Sequence, residues 1–283
     1  MQQIIAIDAT KLNTLQLCAR KYNWVFKESR SPLNKPDYLE RGSLIHEMLH
    51  YYYVMRRSRS RWIQNGKNHD DVVKICLRIG EHCAIKMQLD VEDVQETMFQ
   101  FGEYCKHYEN DGWDRVLAVE QVGSFVLYED ENICIIYEVK PDLVLQLDNN
   151  LIMPVDHKTA KQRKEPSGLA NQFMGYCVAL KCNNININKI GFQKTLKPNE
   201  RFQRYTISYA DDVLQEWKEN TVYWVKQLLR HIDEDYWPAN FTSCDKYAGC
   251  VFQHTCIKER IAREYELMKS FEIAEHWDVG RSL

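Results

Sequence analysis

The N-terminal part of the chain spaces its apolar side chains as an amphipathic helix does. Leu12, Leu15 and Tyr22 repeat at helical intervals, and the pattern predicts a helix over 10–27 with Thr10 as a possible N-cap. The same spacing predicts three further helices: one from near Gly42 or Ser43, one over 69–88 and one over 92–109. We therefore expect a helical region in the first part of the chain.

After the turn sequence "NDGW" the pattern changes to runs rich in Val, Ile and Leu, which "EDEN" and "DNN" separate. These runs predict strands over 116–128, 133–147 and 151–158. Downstream, the pattern predicts a helix over 167–181, strands over 187–196 and 202–208, and a long helix over 211–232. This order of elements indicates an α/β fold with a mixed sheet flanked by helices.

The composition suits a globular protein with a sizeable core. The chain has 283 residues, of which 45% are hydrophobic, enough for one large domain or a core with a helical subdomain. No apolar run approaches the roughly 18 residues that a membrane helix needs. The start, "MQQIIAIDAT", lacks the basic and apolar regions of a signal peptide. We therefore expect a cytoplasmic protein that does not associate with a membrane.

The charge excludes one simple route to nucleic acid. A net charge of −3 creates no global field that attracts phosphates, so nucleic-acid binding would depend on local patches. Two patches are visible, and either one is a nucleic-acid contact or a solvated face. Their members are Arg56, Arg57, Arg59 and Arg61 in the first, and Lys158, Lys161, Arg163 and Lys164 in the second.

Two carboxylates and a lysine form the main candidate site. Asp142 precedes Asp156 by one predicted hairpin, so pairing of the two strands would bring both side chains to one sheet edge. Two carboxylates that close repel each other unless a cation lies between them, and oxygen ligands favour Mg²⁺ or Mn²⁺. Lys158 shares a face with Asp156 because side chains alternate along a strand. Its ammonium could orient a water or neutralise charge on a phosphate.

Pro141-Asp142 and Asp156-x-Lys158 resemble the signature of the PD-(D/E)XK nuclease superfamily, and further segments resemble its RecB-like branch. "GSLIHEMLH" is similar to the branch's Gly-x-x-x-His helix and contains His46. Glu120 in "LAVEQ" is similar to the acidic residue on the first core strand. "NQFMGY" is similar to the Gln-x-x-x-Tyr element and contains Gln172 and Tyr176, one helical turn apart.

The resemblance implies a restriction-endonuclease-like fold and Mg²⁺- or Mn²⁺-dependent hydrolysis of DNA. It implies that His46, Asp142, Asp156 and the backbone carbonyl of His157 hold the metal. By the same resemblance Lys158 orients the water, Glu120 is the acidic residue of the first core strand, and Gln172 and Tyr176 contact the DNA and support catalysis.

The resemblance also implies a substrate and a setting. We expect an exonuclease on single-stranded DNA in recombination, repair, CRISPR adaptation or phage DNA processing, of prokaryotic or viral origin. Homo-oligomers or recombination and CRISPR partner proteins are expected companions. A module that keeps the fold and binds DNA without chemistry is a further alternative.

The cysteines form a second candidate site. Ten are present, and Cys244, Cys250 and Cys256 fall in one loop with five residues between successive cysteines. Four thiolates bind either zinc or a [4Fe–4S] cluster, and structural zinc usually takes closer pairs than this loop offers. With Cys18, the loop resembles the four-thiolate iron–sulfur site of RecB-like nucleases, which implies a clasp between the chain ends. His254 could replace one ligand.

The other six cysteines fall in predicted helices and strands, and we expect buried small apolar side chains. They are Cys76, Cys83, Cys105, Cys134, Cys177 and Cys182.

A competing motif occurs in the helix that carries His46. His46, Glu47 and His50 satisfy the H-E-x-x-H pattern of zinc metalloproteases, in which both histidines share a helix face and the glutamate is a general base. That site needs a third ligand, for which Glu81 and Glu92 are candidates. The nuclease interpretation unites more elements in the expected order along the chain.

The predicted nuclease site and the predicted cysteine cluster together suggest three regions of the chain. Residues 1–112 form a helical region with the first cluster cysteine and the ligand histidine, residues 113–240 form the nuclease core, and residues 241–283 carry the other cluster cysteines.

Overall fold

A computed structural model describes residues 2–33, 38–113, 115–148, 150–160, 167–191, 197–246 and 249–274. The basic residues Lys161, Arg163 and Lys164 and the end of the predicted 187–196 strand lie outside these ranges. None of the helices in the described ranges is long and apolar enough to cross a membrane.

The helices of the described residues follow the predicted order with several additions. They are α1 (Ala9–Leu17), α2 (Ala19–Tyr22), α3 (Tyr38–Arg57), α4 (Arg59–Gln64), α5 (His69–Met87), α6 (Val91–His107), α7 (Asn171–Leu180), α8 (Pro198–Arg201), α9 (Asp211–Asp233), α10 (Gln253–Cys256) and α11 (Arg260–Ser270). A π-helical turn over Asn23–Lys27 follows α2, and a 3-10 turn covers Phe241–Ser243.

The described strands are more numerous than predicted. They are β1 (Gln3–Ile7), β2 (Arg30–Pro32), β3 (Val116–Val119), β4 (Gly123–Glu129), β5 (Ile133–Val139), β6 (Leu143–Gln146), β7 (Ile152–Ala160), β8 (Asn184–Gly191), β9 (Phe202–Ser208) and β10 (Phe271–Ile273). The sequence pattern did not predict β1, β2 or β10.

Three predicted helices are confirmed as α5, α6 and α9, with ends within two residues of the predicted ones. The predicted helix over 10–27 is helical but interrupted, because Cys18 adopts an extended backbone (φ −168°, ψ 115°) that ends α1. The predicted N-cap was wrong: the Asp8 carboxylate caps α1 by accepting hydrogen bonds from the amides of Thr10 (2.7 Å) and Lys11 (2.9 Å).

The predicted start of the second helix, near Gly42, was also wrong, since α3 begins at Tyr38. Its first turn is stabilised by contacts that the local pattern does not contain. Arg41 forms ion pairs with Asp93 (2.9 Å) and Glu96 (3.0 Å) of α6.

Each of the first two predicted strands is divided in two. The breaks fall at Glu120, which has a positive φ of 46°, and at Pro141, which has no N–H to continue a ladder. The chain forms two compact units, and both breaks lie where it passes from one unit to the other. The first unit comprises 1–35, 122–139 and 211–283, and the second comprises 36–121 and 140–210.

The second unit contains a sheet with strand order β3-β6-β7-β8-β9, in which β7 and β8 are parallel and the other pairs are antiparallel. Helix α3 fills the core with a continuous set of buried side chains, which includes Leu44, Ile45, Met48, Leu49, Tyr52 and Tyr53. Gly80 lets α5 approach α3 closely, since a Cβ there would lie 2.5 Å from Met48 Sδ. The α/β fold with helices beside a mixed sheet is confirmed.

The first unit contains a smaller sheet with order β1-β5-β4, in which β1 is parallel and β4 antiparallel to the central β5. Helix α9 packs on this sheet through Trp217, whose ring meets Tyr137 edge-on at 5.0 Å. A separate apolar cluster of Trp24, Phe252, Leu267 and Phe271 joins the π-helical turn to the C-terminal elements. Strands β2 and β10 pair beside it.

The division of the chain into a helical region (1–112), a nuclease core (113–240) and a cysteine-bearing segment (241–283) stays a prediction.

Candidate active site

The carboxylates meet at one edge of the large sheet. Strands β6 and β7 pair antiparallel with Leu143 opposite Val155, which places Asp142, just before β6, beside Asp156 on β7. The amide of His157 donates a hydrogen bond to Asp142 Oδ2 at 2.6 Å. Asp156 is only 1% exposed. The fold thus holds two carboxyl groups side by side at the end of a hairpin.

Burial dominates the electrostatics of this pair. It raises the pKa of Asp142 to about 6, although the His157 amide and the Lys158 charge act in the opposite direction. It raises the pKa of Asp156 to about 6 as well, again opposed by Lys158, while the charge of Asp142 adds to the increase. Ionisation of both groups is therefore costly until a cation compensates them.

Lys158 is held at this edge by two partners. Its Nζ lies 2.8 Å from Asp156 Oδ2 and donates a hydrogen bond to Gln172 Oε1 at 2.9 Å. Gln172 Nε2 in turn donates to the Tyr176 hydroxyl (2.8 Å), which donates to the backbone carbonyl of Lys140 (2.8 Å). The glutamine and tyrosine of α7 therefore fix the position of the ammonium group, a contact that their sequence spacing did not reveal.

His46 projects from α3 toward the carboxylates. Its Nδ1 lies 3.7 Å from Asp142 Oδ2. Burial lowers the pKa of His46, while the charge of Asp156 raises it and that of Lys158 lowers it. A lowered pKa favours the neutral imidazole, which is the form that binds metal ions.

Glu120 lies at the same edge as the carboxylate pair. Its amide donates to the Asp142 carbonyl at 3.0 Å, and its Oε2 pairs with Lys140 Nζ at 3.0 Å. His50, one turn after His46 on α3, lies 4.0 Å from Glu120 Oε1. The negative charge of Glu120 is therefore paired with the positive charge of Lys140.

The His157 side chain is buried in the core. The sequence had predicted a role only for the backbone carbonyl of this residue. Its ring stacks on Tyr53 at a centroid distance of 5.6 Å and an angle of 14°. Its Nδ1 lies 2.9 Å from Asn188 Nδ2. Burial lowers the pKa of this histidine well below its usual value, with His46 and Arg204 adding to the effect.

A buried polar network behind His157 was missed by sequence reasoning. Asn188 Nδ2 donates to the Tyr104 hydroxyl at 2.6 Å, and the hydroxyls of Tyr104 and Tyr53 are 2.6 Å apart. Close by, Asp111 accepts from Arg56 (2.8 Å) and Arg204 (2.6 Å). Only the non-apolar character of Asn188 within a strand rich in isoleucine could have signalled it.

The prediction for the first basic patch was wrong for Arg56. It is 3% exposed and paired with Asp111, so it is neither a nucleic-acid contact nor part of a solvated face.

The oxygen and nitrogen atoms at this sheet edge are of the kinds that bind a divalent cation. Among the described residues, no group of three or more His, Cys, Asp or Glu side chains is arranged to hold a metal ion. The chemistry nevertheless fits a hard cation. Asp156 Oδ1 is buried without a hydrogen-bond donor in the described part of the chain, and it belongs to a carboxylate beside a second one.

A family model for the PD-(D/E)XK nuclease superfamily matches residues 7–257, which is most of the chain. The chain belongs to this superfamily. No curated protein matches it in sequence.

A solved structure shares the fold of this PD-(D/E)XK nuclease chain. A protein from Eubacterium rectale described as a proposed exonuclease is 11% identical, with 85% of this chain and 86% of that one covered, and a TM-score of 0.50. An alkaline exonuclease from Laribacter hongkongensis is 10% identical over 47% of this chain and 66% of that one, with a TM-score of 0.33.

The protease motif of this nuclease chain lies on α3 but points in two directions. His46 and His50 face Asp142 and Glu120, as described above. The carboxylate of Glu47 instead lies near Cys83 of α5, whose pKa it raises after the larger effect of burial. Glu81 and Glu92, the candidate third ligands, are both exposed. No observation at these residues favours a zinc protease.

Four thiols of the nuclease chain gather in the first unit. Burial raises the pKa of Cys244, and the neighbouring Cys250 and Cys18 raise it further. Burial also raises the pKa of Cys256, with contributions from Cys18 and Cys250 that the Arg20 guanidinium opposes. The amide of Cys250 donates to the Cys244 carbonyl at 2.7 Å, and His254 is exposed on α10. The thiols share one neighbourhood, although Tyr247 and Ala248 between them lie outside the described ranges.

The remaining cysteines are free thiols in mixed surroundings. Cys76, Cys105, Cys134 and Cys177 are buried, as expected. Cys83 and Cys182 are only partly buried, so the expectation of full burial was wrong for these two.

Proposed function

We propose that this chain is a Mg²⁺- or Mn²⁺-dependent nuclease that hydrolyses DNA, acting as an exonuclease on single strands. The convergence of Asp142, Asp156 and Lys158 at one sheet edge carries the proposal. Membership of a nuclease superfamily supports the reaction class, and the resemblance to RecB-like nucleases supports DNA, single strands and cleavage from an end.

The cation would be held by His46, Asp142, Asp156 and the carbonyl of His157. When bound, it supplies Lewis-acid stabilisation of the charge that develops on the phosphate. The residues of the chain favour binding of the cation in two ways. The pKa of His46 is lowered, which favours the neutral imidazole. The two carboxyl groups are buried together, and a bound cation would offset the cost of ionising them.

Lys158 supplies a positioned hydrogen-bond donor. An ammonium group has three donors, and here Asp156 and Gln172 take two of them. The third can reach an attacking water or a phosphate oxygen. Because Tyr176 and the Lys140 carbonyl hold Gln172 in turn, the ammonium needs little rearrangement when the substrate arrives.

Gln172 and Tyr176 have two roles in this proposal. They position Lys158, and they also contact the bound strand. Glu120, paired with Lys140, contributes negative charge at the same edge. Homo-oligomers, recombination or CRISPR partners and a cytoplasmic setting complete the proposal.

The first test is a cleavage assay on end-labelled single- and double-stranded DNA, with protein purified without oxygen and supplied with Mg²⁺, Mn²⁺ or EDTA. We expect degradation of single strands from one end in either metal and none in EDTA. Lys158→Ala should reduce the rate by about 100-fold or more, because positioned donors contribute about that much.

Lys106→Ala is the matched control, since Lys106 is an exposed lysine of α6 in the same unit. It should cleave like the wild type. If the protein bound DNA stably but did not cleave it with either metal, the nuclease proposal would be wrong and the protein would be a module that only binds DNA. Equal rates for Lys158→Ala and wild type would remove Lys158 from the mechanism.

We further propose that Cys18, Cys244, Cys250 and Cys256 bind a [4Fe–4S] cluster, with zinc as the less favoured occupant. Metal binding that joins distant segments contributes directly to the free energy of folding. Cys250→Ser should therefore lower the melting temperature, and iron-to-protein analysis with the absorption spectrum should show loss of the cluster. Cys83→Ser, a partly buried thiol outside this group, should change neither measurement. A Cys250→Ser protein with unchanged melting temperature would contradict the clasp.

A further inference from the structure

A second concave site lies in the first unit and contains none of the proposed nuclease residues. It is a pocket of about 670 Å³ lined by residues of α2, the π-helical turn and the segment that leads into β2, and by residues of the loop after α9 and of α11. Four arginines contribute to its wall, namely Arg20, Arg30, Arg260 and Arg263. This volume falls within the usual range of small-molecule sites, about 300 to 1,000 Å³.

Two of the arginines have hydrogen-bond donors that the protein does not satisfy. Arg20 Nη1 and Arg30 Nε are shielded from solvent and lack an acceptor among the described residues. The Arg30 Nε lies 3.6 Å from Glu28 Oε2, which is too long for a hydrogen bond. Buried donors without acceptors are costly, so a ligand that brings acceptor oxygens would stabilise this wall.

Acidic residues of the pocket do not cancel this demand. Asp235 Oδ1 already accepts from Lys27 Nζ (3.0 Å) and Trp237 Nε1 (3.3 Å). Glu28 Oε1 accepts from Asn23 Nδ2 at 2.7 Å. Glu264 is the third acidic residue of the lining. Positive charge and unused donors therefore remain in excess, which favours an anion over a metal ion or a neutral ligand.

Aromatic rings make up another part of the lining. Trp24 packs on Phe252 at 5.1 Å, and Trp237 stacks on Tyr22 at 6.3 Å and 9°, so both rings are fixed. Tyr236, by contrast, is 64% exposed. Guanidinium groups beside an exposed aromatic ring match a phosphate attached to a base, since arginine binds phosphate in a forked geometry and bases stack on aromatic rings.

We propose that this pocket binds a nucleotide unit, with its phosphate on the arginines and its base on Tyr236. The identity of the ligand rests on the proposed function, because a nuclease meets nucleotides both within a strand and as free products. The shared chemistry is a phosphorylated nucleoside, and the source is either a bound single strand or a free nucleoside monophosphate.

The test measures fluorescence anisotropy of a labelled thymidine oligonucleotide of about 12 nucleotides, bound to the full chain in EDTA so that no cleavage occurs. We expect Arg260→Ala with Arg263→Ala to weaken binding about tenfold and to reduce the salt dependence by about one unit of slope per lost phosphate contact. Arg30→Ala is the second variant, in case the first alters folding. Arg78→Ala, an exposed arginine of α5, is the control.

Thymidine monophosphate and inorganic phosphate are then added as competitors of the oligonucleotide. Competition by the monophosphate indicates a free-nucleotide site, and its failure alongside weaker oligonucleotide binding in the variants indicates a strand site. The proposal is overturned if the pocket variants bind the oligonucleotide like wild type and the monophosphate does not bind, or if Arg78→Ala weakens binding equally. Because no cleavage is measured, loss of the nuclease proposal and loss of this one are separate results.

Discussion

Replacing Asp142 and Asp156 together by asparagine should abolish nuclease activity and, at neutral pH without metal, raise the melting temperature. The activity falls because the carboxylates proposed to hold the cation are lost, and we expect at least about a 1,000-fold decrease, as for other groups that stabilise developing charge. The fold should survive, since an asparagine oxygen can still accept the hydrogen bond that the His157 amide gives to Asp142.

The direction of the stability change follows from the two pKa values. Each carboxyl has a pKa of about 6 in the folded protein, above the ordinary 3.8 of an unfolded chain. The folded protein therefore binds these protons more tightly than the unfolded chain does, and their stabilising effect is complete below about pH 4. It is lost as the pH rises through about 6. At pH 8, wild type carries this cost and the asparagine variant does not.

Thermal melts in EDTA at about pH 5 and about pH 8 measure this difference, which should be larger at the higher pH. Addition of Mg²⁺ or Mn²⁺ should raise the melting temperature of wild type and leave that of the variant unchanged, because only a folded state that binds the ion is stabilised. Asp148→Asn, an exposed position in the β6–β7 loop, should behave as wild type. A double variant that still cleaves DNA would refute the site.

The second large effect concerns Asp111, which pairs with Arg204 on β9 of the sheet that carries the site. We expect Asp111→Ala to lower the free energy of unfolding by about 3 to 5 kcal/mol, the usual cost of leaving a buried charge unpaired. Its carboxylate accepts from Arg56 at 2.8 Å and from Arg204 at 2.6 Å, and its own side chain is 4% exposed. The substitution leaves two guanidinium groups without their anion.

Arg204 has little freedom to find another partner. Its guanidinium lies 3.6 Å from the ring centroid of Tyr108 and 3.3 Å from that of Trp113, so aromatic rings fix its place. Urea denaturation, with comparison of the midpoint and the slope, measures the loss. Asp90→Ala is the control because Asp90 is exposed and caps α6 without a side-chain hydrogen bond. Equal midpoints for Asp111→Ala and wild type would show that the network does not stabilise the fold.

Local patterns were sufficient where a feature depends on neighbours in sequence. The long helices α5, α6 and α9 follow from apolar spacing over many turns. Asp156 and Lys158 share a face because strand side chains alternate, and this alternation holds wherever the strand lies. The short connection between the two predicted strands likewise allowed the sequence to place Asp142 and Asp156 together at one end of a hairpin.

Partners from distant parts of the chain were outside the reach of such patterns. Gln172 and Tyr176 were predicted to be near each other, but that they hold Lys158 depends on how α7 crosses from β7 to β8. Asp111 binds Arg204 across 93 residues of sequence. No local pattern encodes such a separation, since only the packed core brings these groups together.

The sequence by itself determined the superfamily signature, the order of the main elements, and the residue types available for a metal and a thiolate site. Tertiary structure decided how two apparently continuous strands are divided at Glu120 and Pro141, and which polar groups are buried with partners. It also placed four arginines and an exposed tyrosine around one pocket. The physical reason is that periodicity records which face of an element is buried, whereas the identity of the opposing group depends on long-range packing.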